Sequence, residues 1–94
     1  MNPPIINSEQ FNIASNTVKK INPIIIDDEL LELYAWYKQA TIGDINIKEP
    51  SFIYFKDNKK WNAWKSKEGN DIYNSEVSYI TLVNKLIKKY GLIK

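Results

Sequence analysis

Tyr34-Ala35-Trp36-Tyr37-Lys38-Gln39-Ala40-Thr41-Ile42-Gly43-Asp44 is the stretch on which the reading of this chain turns. Each helical residue rotates the backbone by about 100°, so Tyr34, Tyr37, Lys38 and Thr41, at i, i+3, i+4 and i+7, share one face. Upstream, Asp27-Asp28-Glu29 provides the acidic first turn that a helix dipole favours; Leu30, Leu33 and Ala40 continue the pattern until Gly43 stops it. A stripe that served only a core would be aliphatic. This one carries two phenol rings, an ammonium and a hydroxyl, which suits a ligand that is flat at one point, negatively charged at another and apolar elsewhere.

Working outward, three more segments show helical periodicity. The first opens at a cap, Asn7-Ser8-Glu9, and runs through Phe11, Ala14, Val18 and Ile21 at spacings of 3, 4 and 3, ending at Pro23 and the Ile24-Ile25-Ile26 run. Residues Asp44 to Phe55 have no helical stripe and contain Pro50; a connection of about 12 residues is usually a functional loop. A third helix is expected over Asp57 to Glu68, with Trp61 and Trp64 three apart, ended by Gly69. Asn70-Asp71 can cap a fourth that shows Tyr73, Val77, Ile80, Val83, Ile87 and Tyr90 before Gly91. Strand alternation, internal repeats and low-complexity tracts are missing. The expectation is an all-α, four-helix fold with a long loop between helices 2 and 3. At 94 residues it is read as a single domain over residues 1–94, near the size where one core suffices.

Composition removes several chemistries. The chain has no cysteine and no histidine, so disulfides, thiolate nucleophiles, His/Cys zinc sites and Ser-His or Cys-His hydrolases are all excluded. Its net charge of +2 is too mild for most nucleic-acid binders, and every positive charge is a lysine. No apolar run approaches the roughly 20 residues that span a bilayer. Met1-Asn2-Pro3-Pro4-Ile5-Ile6 has neither the basic region nor the apolar core of a signal peptide, and Asn2 rules out myristoylation there. A soluble cytoplasmic protein is expected, without nucleic-acid partners.

The residues resemble the acyl-CoA-binding protein family from Phe11 to Gly91. The similarity comprises Phe11-x-x-Ala14 and Val18-Lys19, then Leu33-Tyr34-x-x-Tyr37-Lys38-Gln39-Ala40-Thr41-x-Gly43-Asp44. Pro50, Phe55-Lys56, Lys60-Trp61-x-Ala63-Trp64, Tyr79-Ile80 and Lys89-Tyr90-Gly91 follow in order. The resemblance implies an up-down-down-up four-helix bundle that carries fatty acyl-CoA thioesters without changing them chemically. It assigns Tyr34, Tyr37 and Lys38 to the coenzyme A head group, with Tyr37 as the adenine platform. Lys38 and Lys60 would face the 3′-phosphate. Lys56 would lie along the head group or thioester, Lys19 would approach from the first helix, and Tyr79 from the fourth. Phe11, Val18, Leu30, Leu31 and the Ile24 to Ile26 run are candidates for the acyl groove. No cofactor beyond the ligand is implied. A monomer is expected, with no stable membrane insertion; transient membrane contact is left open.

The sequence departs from the family pattern in Pro50-Ser51, in Phe52-Ile53-Tyr54 where an acid commonly precedes the Phe, in Asp57-Asn58, in Glu49 and in Trp36. Trp61, Trp64, Tyr73 and Tyr90 read as packing residues, and Trp36 points away from the Tyr34 face. An enzyme acting on the same ligand would need a base or nucleophile, and no carboxylate lies on the Tyr34 stripe. A helical interaction module or weak RNA binder would not require the joint spacing of Tyr34, Tyr37, Lys38, Lys60 and Tyr79. The carrier is the reading adopted.

Overall fold

The computed structural model describes residues 3–21 and 27–93, with side chains from residue 9 onward. Among the described residues four helices form: α1 (Pro3–Thr17), α2 (Asp27–Thr41), α3 (Phe55–Lys65) and α4 (Ile72–Tyr90), with a 3₁₀ turn, Val18–Lys20, following α1. The Ile24 to Ile26 run assigned to the groove lies outside the described residues.

Four boundaries differ from the sequence-based expectation. α1 begins at Pro3, ahead of Asn7-Ser8-Glu9, because proline is tolerated in a first turn whose N–H groups have no intrahelical partner. α1 gives way to the 3₁₀ turn at Val18, and Ile21 is already extended, its N–H donating to the Val18 carbonyl at 3.2 Å. α3 starts at Phe55, since the Asn58 N–H reaches back to the Tyr54 carbonyl at 2.9 Å. It stops at Lys65, after which Lys67 and Glu68 donate to carbonyls three residues back. The cap of α4 is as expected: the Asp71 carboxylate accepts from the Asn74 N–H at 2.7 Å. Gly91 closes it at φ 77°, a left-handed value that disfavours any side chain.

Side-chain pairs give the direction of each helix. Phe11 of α1 lies 5.0 Å from Tyr79 of α4 between ring centroids, and Ile21, just past α1 and its 3₁₀ turn, pairs with Leu92, just past α4, so these two helices run parallel. Their ends meet where Ile21 and Leu92 form an antiparallel bridge and the Ile93 N–H donates to the Lys20 carbonyl at 2.6 Å. Glu29, at the start of α2, accepts from Lys89 at 2.7 Å and from the Tyr90 hydroxyl at the end of α4. Gln39, near the end of α2, donates to the Asn70 carbonyl just before α4, so α2 and α4 are antiparallel. Lys60 of α3 lies over the Tyr34 ring of α2, and four residues further along each helix Lys38 lies over the Trp64 ring, so α2 and α3 are parallel. The bundle is up-down-down-up, as the resemblance implied.

Its core joins Phe11, Ala14, Ile21, Leu33, Ala40, Tyr79, Val83 and Leu86, with Val18, Trp36, Ile80, Leu82, Ile87 and Tyr90 packed around them. Among the described residues no helix is long and apolar enough to cross a membrane, and no group of three metal-ligating side chains gathers.

Candidate functional site

Because α2 and α3 run side by side in the same direction, one stripe of each faces a common groove. Asp27, Leu30, Leu31 and Tyr34 line it from α2; Phe55, Lys56, Lys59 and Lys60 line it from α3. The groove measures about 320 Å³, at the small end of ligand sites. Two leucines and two aromatic rings make its walls apolar, and three lysines supply its cations.

The ring of Tyr34 gathers cations from two helices. Lys38 Nζ stands 5.8 Å from its centroid and Lys60 Nζ 5.7 Å, both within cation–π range. Lys38 also lies 5.6 Å from the Trp64 ring, so aromatic faces on two helices hold it. Burial, and then the negative charge of Asp57, push the Tyr34 hydroxyl pKa up, which keeps it a protonated donor.

Beside this pair sits an aromatic cluster. Tyr37 stacks on Phe11 with centroids 5.6 Å apart and planes 20° from parallel, while Tyr79 tilts against both, at 5.8 Å from Tyr37 and 5.0 Å from Phe11. Tyr37 remains 40% exposed, whereas Phe11 and Tyr79 are buried at 6% and 3%. Burial, with Tyr37 adding to it, pushes the Tyr79 hydroxyl pKa up to about 12. Phe11 and Tyr79 therefore form a fixed base that leaves Tyr37 with the exposed ring area.

Of the residues singled out from sequence, Leu30, Leu31, Tyr34, Lys56 and Lys60 meet in the groove, and Lys38 joins Lys60 around Tyr34. Lys19 is exposed on the 3₁₀ turn and Val18 packs against the core; neither lines this groove. Phe55, Lys59 and Asp27 do line it and were not singled out. Lys56, Lys59 and Lys60 share a helical face at i, i+3 and i+4, a spacing visible in the sequence, yet an ordinary solvated lysine face has the same spacing.

The rest of the Tyr34–Asp44 stretch is a latch. Gln39, fully buried, donates from Nε2 to Asp44 Oδ1 at 2.8 Å and to the Asn70 carbonyl at 2.9 Å. Asp44 Oδ1 also accepts the Gly69 N–H at 2.8 Å, tying the end of α2 to the turn before α4. Trp64 Nε1 donates to the Gly43 carbonyl and Trp61 Nε1 to the Ile47 carbonyl, each at 2.8 Å, which fixes the loop that follows α2. The Gly69 N–H, then Gln39, with Lys65 adding its charge, hold the Asp44 carboxyl below the usual carboxylate range. A carboxyl lowered in this way stabilises the folded state above its unfolded-state pKa, and that contribution disappears as pH falls through the folded value. Asp44→Asn is thus expected to reduce the urea midpoint at neutral pH and to flatten its decline in acid. Identical pH profiles for the two proteins would show that the latch carries no charge dependence.

A model of the family described as acyl CoA binding protein matches residues 8–83. The chain is 42% identical over 84 residues to an acyl-CoA-binding protein of Saccharomyces cerevisiae, covering 89% of this chain and 97% of that one. It is 41% identical over 84 residues to an acyl-CoA-binding protein homolog of Drosophila melanogaster, covering 89% and 98%. Among solved structures it is similar to Oryza sativa acyl-CoA-binding protein 2, at TM-score 0.89 and 32% identity over 92% of this chain and 94% of that one.

Proposed function

Since this chain belongs to the acyl-CoA-binding protein family, we propose that it binds fatty acyl-CoA thioesters non-covalently and carries them without chemistry. The observation that supports this most directly is the α2–α3 groove: apolar walls, a lysine set and a half-exposed stacked tyrosine lie along one side of the bundle. Coenzyme A bears about four negative charges at neutral pH, on a 3′-phosphate and a pyrophosphate, so several lysines must converge on it. An adenine needs a ring face, and an acyl chain needs apolar surface.

In this reading Lys38 and Lys60 take the 3′-phosphate, with the Tyr34 hydroxyl as a further donor, and the adenine stacks on Tyr37. Lys56 lies along the pyrophosphate and thioester, and the chain enters between Leu30, Leu31 and Phe55. Phe11 and Tyr79 position Tyr37 from beneath. Lys19 meets the ligand only where it extends past the groove toward the 3₁₀ turn, and Val18 lines that far end. The protein acts as a cytoplasmic monomer and a single binding unit. Asp27 lines the groove on the Tyr34 side of α2, where the sequence pattern had placed no carboxylate, and it is the one carboxylate there among the described residues; with no histidine or cysteine in the chain, this favours a carrier over chemistry on the thioester.

Two expected results test the head-group assignment by titration calorimetry. Lys38→Ala and Lys60→Ala should each weaken acyl-CoA binding by about 1.5–3 kcal/mol. A ligand without the 3′-phosphate should bind wild type poorly and lose little more in either variant. If both variants discriminated against that ligand as strongly as wild type, the lysines would not hold the phosphate. Tyr37→Ala should lose about 1–3 kcal/mol while Tyr37→Phe loses much less. Equal losses would move the role of Tyr37 from its ring to its hydroxyl.

A further inference from the structure

The loop between α2 and α3 has a character that the groove alone does not use. Phe52, Ile53, Tyr54 and Phe55 are consecutive and expose 81%, 65%, 62% and 59% of their surfaces. The loop backbone is nevertheless held. Asn58 Nδ2 donates to the Pro50 carbonyl at 2.8 Å and to Glu49 Oε2 at 3.0 Å, and the Tyr54 N–H donates to the Ser51 carbonyl at 2.9 Å. Polar contacts thus fix the segment while its large apolar side chains face water. An exposed contiguous apolar patch of this kind marks a contact surface.

Charge and position indicate the occupant. Across residues 48–60, Lys48, Lys56, Lys59 and Lys60 outnumber Glu49 and Asp57, with Asp27 across the groove on α2. Aromatic side chains next to lysines are the composition of an element that lies in a membrane interface, rings at headgroup depth and ammoniums on anionic headgroups. Phe55, Lys56, Lys59 and Lys60 also line the groove, so a surface that received this loop would meet the groove mouth.

We propose that Phe52-Ile53-Tyr54-Phe55, with Lys56, Lys59 and Lys60, is an interfacial anchor that seats the mouth of the groove on an anionic lipid bilayer. Its benefit rests on the carrier reading, because an acyl chain could then pass between groove and bilayer with little exposure to water; the docking itself needs no bound ligand. The anchor lies on α3 and the loop before it.

Co-sedimentation of the ligand-free protein with vesicles of phosphatidylcholine, with and without phosphatidylserine, tests the proposal. Wild type should partition onto the phosphatidylserine vesicles, more weakly onto pure phosphatidylcholine, and less as salt rises. The double variant Phe52→Ser/Ile53→Ser should lose roughly tenfold or more of that partitioning. Ile13→Ser, which removes an exposed apolar side chain from α1, should keep it. Absence of wild-type binding, equal binding to both vesicle types, or equal loss in the Ile13 variant would overturn the proposal. So would a wild-type dimer in sedimentation that the double variant converts to monomer without any vesicle binding. Calorimetry with acyl-CoA in vesicle-free buffer is the second readout. Unchanged affinity in the double variant is expected, and a loss matching the vesicle loss would assign the loop to the ligand instead. Failure of wild type to bind acyl-CoA at all would remove the carrier reading and leave the vesicle result to be judged by itself.

Discussion

Replacing Trp64 with alanine is expected to destabilise the fold by about 3–5 kcal/mol, the range for truncating a buried tryptophan. Trp64 is 2% exposed on α3, and its Nε1 donates to the Gly43 carbonyl at 2.8 Å. Truncation would leave a cavity between α3 and the end of α2 and would strip that carbonyl of its partner. Natural domains have only about 5–15 kcal/mol of net stability, so a large share of it is at stake. Trp64→Phe should separate the two contributions, keeping most of the ring volume and losing one hydrogen bond worth about 1 kcal/mol. Urea unfolding followed by far-ultraviolet circular dichroism measures both. A loss from Trp64→Ala below that of Trp64→Phe would show that α3 is not anchored through this side chain.

The second large effect is on binding. Affinity should rise as the acyl chain lengthens, by up to about 0.8 kcal/mol for each CH₂ that leaves water, and then level off where the apolar surface ends. A groove of about 320 Å³ cannot enclose a whole acyl-CoA, so the plateau reports how far the chain follows the bundle beyond Leu30 and Leu31. Free coenzyme A, lacking the chain, should bind far more weakly. A free fatty acid should bind weakly as well, having nothing for Lys38, Lys60 and Tyr37 to grip. Mass spectrometry after prolonged incubation should recover the thioester intact. Release of free coenzyme A at a catalytic rate would contradict a carrier, and affinity independent of chain length would leave a head-group site with no acyl groove.

The elements were legible because their periodicity was long and their punctuation strong. Asp27 to Gly43 bounded α2, and Asp71 with Gly91 bounded α4, by chemistry that acts within a turn or two. The start of α1 was less legible, since a polar triplet such as Asn7-Ser8-Glu9 can cap a helix or sit inside one. At the site, Tyr34 and Lys38 could be paired from spacing alone because they share a helix. That Lys60 approaches the same ring depends on how α3 lies against α2, which no local pattern encodes. Periodicity also could not separate Tyr37 from Tyr79. Both occupy helical stripes, yet one is 40% exposed and the other 3%, because Tyr79 sits in the core cluster with Phe11, Val83 and Leu86 while Tyr37 lies outside it. The exposure of Phe52 to Phe55 was hidden for the opposite reason. An apolar run normally reads as buried, and only the path of the loop reveals otherwise.

The order of helices has a consequence in time. An up-down-up-down bundle lets each helix dock on its predecessor, so most contacts form between near neighbours in the chain. Here α4 packs on α1 and α2, the Ile21–Leu92 bridge spans most of the sequence, and Glu29 waits for Lys89 and Tyr90. Tyr79, Val83 and Leu86 bring much of the core with them. Contacts so distant along the chain raise contact order, and folding slows as loop closure must precede the contacts that stabilise it. During synthesis, α1 to α3 therefore emerge as a segment without its central partner. The cooperative step waits for α4 to clear the ribosome, and until then the apolar faces of α1 and α2 are open to chaperones.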